Sequence, residues 1–186
     1  MMDNRKSLHE RCAAVELLVL DVDGVLTDGS IVYADSGSEL KAFHVRDGAG
    51  IKIWRQEGKG IAILSGRSSG VVEVRAAELG IDTVIQGAAD KLAAFRQVLV
   101  RSGLCQSRVC FVGDDLPDLP VLLHCGLAVA VGDACPEAKA LAHYVTAAAG
   151  GRGAVRETIE LILRCQSRWQ AVVERYRNER LEDCRF

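Results

Sequence analysis

The sequence predicts a doubly wound α/β fold with a mainly parallel sheet, and three observations support this fold class. Short apolar runs alternate with segments of helical periodicity from residue 16 to residue 145, which is the pattern of βαβ units. No internal repeat, low-complexity tract or Pro/Gly-rich linker interrupts the alternation. The 186 residues, 49% of them hydrophobic, are enough for one full core but not comfortably for two. We therefore expect a single domain over residues 1–186.

Six apolar runs are the candidate strands, because strands buried on both faces are continuously hydrophobic. They cover residues 17–22, 60–64, 83–85, 109–112, 127–131 and 144–145. Helices are expected between them, near residues 48–57, 69–79, 90–101, 118–124 and 136–141. One segment departs from the alternation, because residues 30–34 and 39–44 have the pattern of two strands joined by a turn. We expect a β-hairpin insertion over about residues 29–44, after the first strand.

The C-terminal part begins with a Gly-rich turn at residues 150–153. We expect one long helix from there to about residue 180, within a helical extension over about residues 153–186. Its seam positions recur at alternating spacings of four and three residues, as in a and d positions. The seam consists of Val155, Ile159, Ile162, Gln166, Trp169, Val173 and Tyr176. Three heptads are few for a coiled coil, so packing of the seam against the rest of the domain is favoured.

Charge and cysteine content exclude several classes of function. The formal net charge of -2 gives no basic excess for a nucleic-acid backbone or an anionic membrane surface. The apolar runs are strand-sized, and the N-terminal residues have no apolar signal core. The seven cysteines form no C-x-x-C pair, and their odd number cannot be joined completely in intramolecular disulfides. We expect reduced thiols and a cytoplasmic protein.

An aspartate pair follows the first predicted strand. Asp21 and Asp23 are two positions apart, so period-two alternation points both side chains to the same side. Two like charges buried together need a cation or a shared proton. An ordinary strand end with Asx-turn residues is the alternative, but it leaves Asp21 within the apolar run unexplained.

A second acidic run, Gly113-Asp114-Asp115-Leu-Pro-Asp118, follows the strand predicted at 109–112. Carboxylates suit a hard, oxygen-preferring ion such as Mg²⁺, although Asp118 has the alternative reading of an N-cap for the next helix. The carboxyl ends of parallel strands meet at one edge of a sheet, so we expect the two acidic loops to lie together there.

Two further segments offer groups for a phosphate at the same edge. Ser65 contributes a hydroxyl, and the amides after it lie at a helix N-terminus, although an ordinary turn explains Ser65-Gly66-Arg67 about as well. Lys91 opens a helix soon after the third strand of the predicted sheet and supplies a compact positive charge. A lysine at a helix start is more often solvated, so this assignment depends on the other motifs.

Taken in chain order, the aspartate pair, Ser65-Gly66-Arg67, Lys91 and the acidic run at 113–118 resemble the four motifs of the haloacid-dehalogenase-like superfamily, over residues 17–118. The segments 39–48, 86–91 and 150–157 look like those of the 3-deoxy-D-manno-octulosonate 8-phosphate phosphatases and extend the resemblance to about residue 163. The resemblance implies a Rossmann-like fold without a cap domain, the hairpin insertion and a homotetramer. It also implies that the turn at 150–156 belongs to a tail that reaches a neighbouring subunit's site.

The resemblance assigns the chemistry residue by residue. It implies that Asp21 is the covalent nucleophile and that Asp23 protonates the leaving sugar oxygen and then activates water. Ser65 and Lys91 would hold the transferring phosphoryl oxygens. Mg²⁺ would bind the carboxylates of Asp21 and Asp114 and the main-chain carbonyl of Asp23.

The resemblance also implies a substrate site that is rich in cations, as a phosphorylated sugar acid requires. It consists of Asp23, His44, Val45, Arg46, Asp47, Gly48, Lys52, Arg67, Arg75, Lys91 and Arg152. Lys52 and Arg75 have the alternative reading of solvated helix charges. His44 stands where the family usually has Asn, a change of shape that also brings a group titrating near neutrality.

Two other functions remain open. One is the same chemistry on a nine-carbon 2-keto-3-deoxy sugar acid 9-phosphate; Arg67 favours the eight-carbon substrate, because the nine-carbon relatives tend to carry an acid there. The other is a noncatalytic phosphoacceptor module, since signalling receivers also place an aspartate at a strand end. Asp23 argues against it, because an acid/base beside the phosphoacceptor shortens the life of the acyl-phosphate. An octulosonate phosphatase would serve lipopolysaccharide synthesis.

Overall fold

The computed structural model describes residues 6–182, with side chains as far as residue 178. Eight helices and eight strands follow one another along these residues. In chain order they are α1 (Leu8–Ala14), β1 (Leu17–Leu20), β2 (Val32–Tyr33), β3 (Glu39–Leu40), α2 (Val45–Gln56), β4 (Gly60–Leu64), α3 (Gly70–Leu79), β5 (Thr83–Ile85), α4 (Lys91–Ser102), β6 (Val109–Gly113), α5 (Leu119–Leu122), β7 (Leu127–Ala130), α6 (Pro136–Leu141), β8 (Tyr144–Val145), α7 (Ala154–Cys165) and α8 (Trp169–Glu182).

The main sheet has the strand order β5-β4-β1-β6-β7-β8, and all neighbouring strands run parallel. The chain moves outward from β1 through β4 to β5 and then crosses to β6 on the other side of β1. The ends of β1 and β6 therefore lie side by side at the topological switch point, where ligand sites of such sheets form. Every residue of β1, β6 and β7 is buried, which explains their apolar runs and confirms the predicted fold class.

The predicted strands of this sheet are all present, within two residues of their predicted ends. The hairpin is also present, but shorter than predicted: Val32 pairs with Leu40 and Tyr33 with Glu39 in a separate antiparallel ladder. Apolar side chains on both faces of the hairpin are exposed, with Tyr33 63% and Leu40 56% accessible. The insertion therefore projects from the domain and presents apolar surface.

The single long C-terminal helix is a wrong prediction, because the chain breaks between α7 and α8. Ser167 has a left-handed φ of 56°, and the amides of Ser167 and Arg168 donate to the carbonyls of Arg164 and Leu163. These two bonds form a Schellman motif, which ends a helix by satisfying its last carbonyls. Glycine is the usual residue at the left-handed position, so Ser167 gave no sequence signal of the break.

The packing predicted for the seam is confirmed in part. Gln166 and Val173 are half-buried, and Tyr176 is 48% exposed. Val155, Ile159 and Ile162 are fully buried, and Trp169 is 8% exposed. Glu57, at the end of α2, holds the second helix in place through ion pairs with Arg168 and Arg175, at 2.8 and 2.6 Å.

Three local features differ from the sequence expectation. Helix α1 was not predicted, although Ser7 and Glu10 form a reciprocal capping box at its start. The helix expected at 118–124 is a 3₁₀ turn at Leu116–Asp118 followed by the short α5. Helix α2 begins at Val45, so the predicted substrate loop at 44–48 is the N-cap and first turn of a helix. No helix among residues 6–182 combines the length and the hydrophobicity needed to cross a bilayer.

Cysteine side chains lie mostly inside the domain. Cys12, Cys110 and Cys125 are buried, Cys135 and Cys165 are half-buried, and Cys105 is exposed. Cys184 lies outside the described residues.

Candidate active site

The carboxylates that follow β1 and β6 meet at one edge of the sheet, as the sequence predicted. The amide of Asp21 donates to the carbonyl of Val112 at 3.1 Å, which continues the parallel ladder and aligns the two strand ends. Gly24 adopts a φ of +86° and lies against the Asp114 carboxylate: a Cβ there would be 2.1 Å from Asp114 Oδ2. Glycine at this position therefore lets the first acidic loop approach the second.

Lys91 lies between two of these carboxylates. Its Nζ is 2.9 Å from Asp21 Oδ2 and 2.6 Å from Asp118 Oδ1, and its side chain is only 6% exposed. Asp90 caps the start of α4 by accepting from the amide of Ala93, which fixes the helix turn that carries the lysine. The solvated reading of Lys91 is therefore excluded.

Asp118 is a site residue that the sequence reasoning did not assign. It is fully buried; Oδ1 accepts from Lys91, and Oδ2 accepts from the amides of Asp114 and Asp115, at 2.9 and 3.3 Å. Asp118 is also the N-cap residue of α5, as the alternative predicted, but its side chain makes no capping bond to that helix and binds Lys91 and the preceding loop instead. Its position as the third acid of the second acidic run was the signal available in the sequence.

The electrostatics of this cluster fit a bound divalent cation. Asp21, Asp114 and Asp118 each place one carboxylate oxygen within 4.8 Å of the others. Burial and then the neighbouring Asp118 charge raise the pKa of Asp21 to about 6, and burial and the Asp21 charge raise the pKa of Asp114 to about 8. Three carboxylates around one lysine leave uncompensated negative charge, which a cation with oxygen preference would neutralise.

The pKa of Lys91 responds to the same charges. Burial alone lowers it, but the carboxylates of Asp21 and Asp118 outweigh burial, so the pKa stands above its ordinary value. Lys91 is therefore a permanent cation in this site. Asp118 already accepts from Lys91 on one oxygen and from two amides on the other, so Asp21 and Asp114 are the carboxylates better placed to offer oxygens to a metal.

Ser65, Gly66 and Arg67 form the opposite wall of the cleft. Ser65 is 3% exposed, and its hydroxyl oxygen accepts from the amide of Arg67 at 3.3 Å. The cleft has a volume of about 230 Å³ and is lined by Asp21, Asp23, Ser65, Gly66, Arg67, Lys91, Asp114, Asp115, Pro117 and Asp118. The structure thus brings together all of the residues predicted to hold the metal and the phosphoryl group.

The carboxylate of Asp23 turns away from the acidic cluster and toward the hairpin. It forms an ion pair with Lys41, and its Oδ2 is 3.6 Å from Arg67 Nε. Lys41 and its neighbour Glu39 are site residues that the sequence reasoning did not assign. A lysine in a hairpin strand gives no local signal of a partner that precedes it by 18 residues.

The first turn of α2 packs on the start of α7. Asp47 is 1% exposed, and its two oxygens accept from the amides of Gly153 and Arg156 at 3.1 and 2.8 Å. His44 lies beside it, with Nδ1 3.8 Å from Asp47 Oδ2. Asp47 thus anchors the N-terminus of α7, and its carboxylate is engaged within the chain.

The remaining predicted substrate residues lie outside the acidic cleft. Arg46 and Arg152 line a second cleft of about 450 Å³, and Arg152 also pairs with Asp28 at 3.2 Å. Lys52 and Val45 are exposed on α2. Arg75 packs against Gly48 and the Phe43 ring and pairs with Glu78 at 2.7 Å.

The Gly-rich turn at 150–153 packs on its own chain rather than reaching outward. The Gly151 amide donates to the Val25 carbonyl at 2.9 Å, and the Gly150 amide donates to Asp133 at 2.8 Å. These contacts place the turn directly behind the loop that carries Asp21 and Asp23.

The parallel sheet has the strand order 5-4-1-6-7-8. An aspartate pair follows its first strand, a serine and a lysine face this pair, and acids follow β6, the fourth strand of the sheet along the chain. These features define a haloacid dehalogenase-like hydrolase. Residues 83–158 match the family model described as haloacid dehalogenase-like hydrolase. The 3-deoxy-D-manno-octulosonate 8-phosphate phosphatase of Escherichia coli K12 is 49% identical over 154 residues, which are 83% of this chain and 82% of that protein.

Solved structures agree with this relationship. The same phosphatase from Moraxella catarrhalis, in complex with magnesium, phosphate and KDO, has a TM-score of 0.88 at 41% identity, covering 90% of this chain and 97% of that one. The cobalt-bound phosphatase from Haemophilus influenzae has a TM-score of 0.82 at 38% identity, covering 84% and 92%. The chain belongs to the 3-deoxy-D-manno-octulosonate 8-phosphate phosphatase family of haloacid dehalogenase-like hydrolases.

Proposed function

We propose that this enzyme hydrolyses 3-deoxy-D-manno-octulosonate 8-phosphate to the free sugar acid and inorganic phosphate, with Mg²⁺ as cofactor. The observation that carries the proposal is the convergence of Asp21, Asp114 and Lys91 in one cleft of phosphate size. Membership of the octulosonate 8-phosphate phosphatase family supplies the substrate class. The free sugar acid would serve lipopolysaccharide synthesis.

The first half-reaction transfers the phosphoryl group to Asp21. A carboxylate oxygen of Asp21 attacks phosphorus, the bond from phosphorus to the sugar oxygen breaks, and Asp23 gives its proton to that oxygen. Lys91 and Ser65 bind the phosphoryl oxygens as their charge redistributes. The product is an aspartyl-phosphate on Asp21.

The second half-reaction regenerates the enzyme. Asp23, now ionised, takes a proton from a water that attacks phosphorus, and the bond from phosphorus to Asp21 breaks. Mg²⁺ bound by Asp21, Asp114 and the main-chain carbonyl of Asp23 would reduce the repulsion between the anionic nucleophile and the anionic phosphate. Lys91 stays protonated throughout, since its pKa is raised.

The sugar acid is assigned to cations around the cleft. Arg67 lies in the same cleft as Asp21, whereas Arg46 and Arg152 line a second one. We assign Arg46, Lys52 and Arg75, with the first turn of α2 from His44 to Gly48, to the substrate carboxylate and hydroxyls. Arg152, in the tail at 150–156, is assigned to the site of a neighbouring subunit. We propose a homotetramer as the assembly that brings the tail to this neighbouring site.

The exposed hairpin supports such an assembly. Ile31, Val32, Tyr33 and Leu40 are between 46% and 63% exposed, an amount of apolar surface that favours a protein interface. Sedimentation should give a tetramer for the native enzyme and smaller species for Val32→Glu. A native monomer would contradict the assembly and leave the chemistry untouched.

We also place the enzyme in the cytoplasm, where its free thiols stay reduced; cell fractionation tests this location.

A side-by-side assay tests the reaction and the choice of substrate. Phosphate release is measured with the eight-carbon and the nine-carbon sugar-acid phosphates, in Mg²⁺ and in EDTA. We expect kcat/KM to favour the eight-carbon ester at least about tenfold, and activity to disappear in EDTA and in Asp21→Asn. A higher kcat/KM for the nine-carbon ester would show that the nine-carbon sugar-acid phosphate is the substrate instead. A stable aspartyl-phosphate without turnover would instead indicate the phosphoacceptor module.

A further inference from the structure

Four side chains of alternating charge form a closed ring beside the catalytic cleft. Lys41 pairs with Asp23 and lies 3.5 Å from Glu39 Oε1. Arg67 Nη2 donates to the same Glu39 oxygen at 2.9 Å, and Arg67 Nε lies 3.6 Å from Asp23 Oδ2. The ring therefore runs Asp23, Lys41, Glu39, Arg67 and back to Asp23. It has no net charge when Asp23 is ionised, the state in which Asp23 takes a proton from water in the second half-reaction.

The period of a β-strand explains how the hairpin supplies two members of this ring. Glu39 and Lys41 are two positions apart at strand β3, so both side chains point to the same face. That face is turned to the cleft, whereas Leu40 between them points outward and is 56% exposed. The insertion thus brings a charged pair to Asp23.

Lys41 is the most buried member, with a side chain only 1% exposed, compared with 14% for Glu39, 21% for Asp23 and 39% for Arg67. A buried ammonium is retained only where carboxylates surround it, and Lys41 contacts two. Its pair with Asp23 is consequently shielded from solvent and fixes that carboxylate more firmly than a surface pair would.

We propose that Lys41 is a positioning residue for Asp23, and that the hairpin thereby forms part of the catalytic apparatus. The Asp23 carboxylate stands outside the cluster of carboxylate oxygens formed by Asp21, Asp114 and Asp118. Lys41 holds it there, at the wall of the cleft that Asp23 lines together with Asp21 and Lys91. This inference rests on the proposed function, because Asp23 needs a fixed position only if it exchanges protons with substrate.

The test separates proton transfer to the leaving group from general loss of activity. Lys41→Met and Lys41→Arg are assayed with octulosonate 8-phosphate, and in the pre-steady state with p-nitrophenyl phosphate, whose leaving group departs without a proton. For Lys41→Met we expect kcat on the sugar phosphate to fall about 10- to 100-fold with KM within about threefold. The p-nitrophenolate burst rate should stay within about threefold, and Lys41→Arg should recover most of the loss.

Two further variants keep the result decisive. Glu39→Gln opens the ring but leaves Lys41 in place, and it should show a smaller loss with the same dependence on the leaving group. Lys59→Met is the matched control, because Lys59 donates to the Val15 carbonyl at 2.7 Å far from the cleft and should leave the ratio of the two substrates unchanged. Equal losses on both substrates in Lys41→Met and Glu39→Gln, or no loss in either, would overturn the positioning role. Absence of turnover in the native enzyme would instead reject the proposed function.

Discussion

The ammonium of Lys91 lies 2.9 Å from Oδ2 of Asp21, although one residue opens helix α4 and the other follows strand β1. The contact joins the proposed nucleophile to a cation that is 2.6 Å from Asp118 on its other side. Lys91 therefore links the loop after β1 to the loop after β6, and it faces the position of the phosphoryl group.

Replacing Lys91 by Met removes this cation while keeping the length of the side chain. We expect kcat to fall about 10²- to 10³-fold, because the phosphoryl oxygens lose a charge-assisted contact in the transition state. The metal-free protein should also lose roughly 3 kcal/mol of unfolding free energy at neutral pH, since two buried carboxylates lose their partner. Urea unfolding in EDTA and phosphate release in Mg²⁺ measure the two effects. Full activity in Lys91→Met would contradict the role.

Asp118→Asn tests the residue that the sequence reasoning did not assign. The amide retains one acceptor for the backbone, but its NH₂ group cannot accept from Lys91, so the lysine loses one of its two anchors. We expect a fall in kcat of about 10- to 100-fold and a stability loss of roughly 2 kcal/mol. Asp82→Asn is the control: Asp82 is exposed and does not line the cleft, and the activity of this variant should stay within about threefold. Equal effects of the two substitutions would argue against a specific role.

Magnesium binding should strengthen as the pH rises from 5 to 8. In the folded, metal-free protein, burial and neighbouring carboxylates raise the pKa of Asp21 to about 6 and the pKa of Asp114 to about 8. These raised values stabilise the metal-free fold at low pH, and that contribution is lost as the pH rises through them. Mg²⁺ needs both groups ionised, so it must displace their protons at low pH. The upward shift in Tm caused by Mg²⁺ should grow over this interval, with proton release detectable by calorimetry in buffers of different ionisation enthalpy. A shift independent of pH would contradict the assignment of the ligands.

Ser167→Gly should stabilise the protein. The residue has a φ of 56°, where a Cβ costs about 1 kcal/mol and glycine is unstrained. Part of the gain is offset by the greater freedom of glycine in the unfolded chain, so we expect a net gain of about 0.5 kcal/mol, or about 1–2 °C in Tm. Ser167→Ala retains the Cβ and serves as the control without the gain. Equal Tm values for the two variants would show that the left-handed position is not strained.

Much of the fold followed from local patterns. The strands of the main sheet were predicted within two residues, because complete burial makes β1, β6 and β7 continuous apolar runs. The edge strands β5 and β8 are only partly buried. The break at Ser167 was missed because the seam spacing continues across it. Helix α1 was missed although its capping box is visible at Ser7 and Glu10.

By itself the sequence determined that Asp21 and Asp114 would converge, because both follow buried strands of one parallel sheet, whose carboxyl ends share an edge. Only the tertiary structure decided which charges pair there. Lys91 meets Asp118, Lys41 meets Asp23 and Asp47 meets the start of α7. Strand and helix periodicity is a property of neighbouring residues, whereas the partner of a buried charge is whichever distant group the packed chain brings within reach.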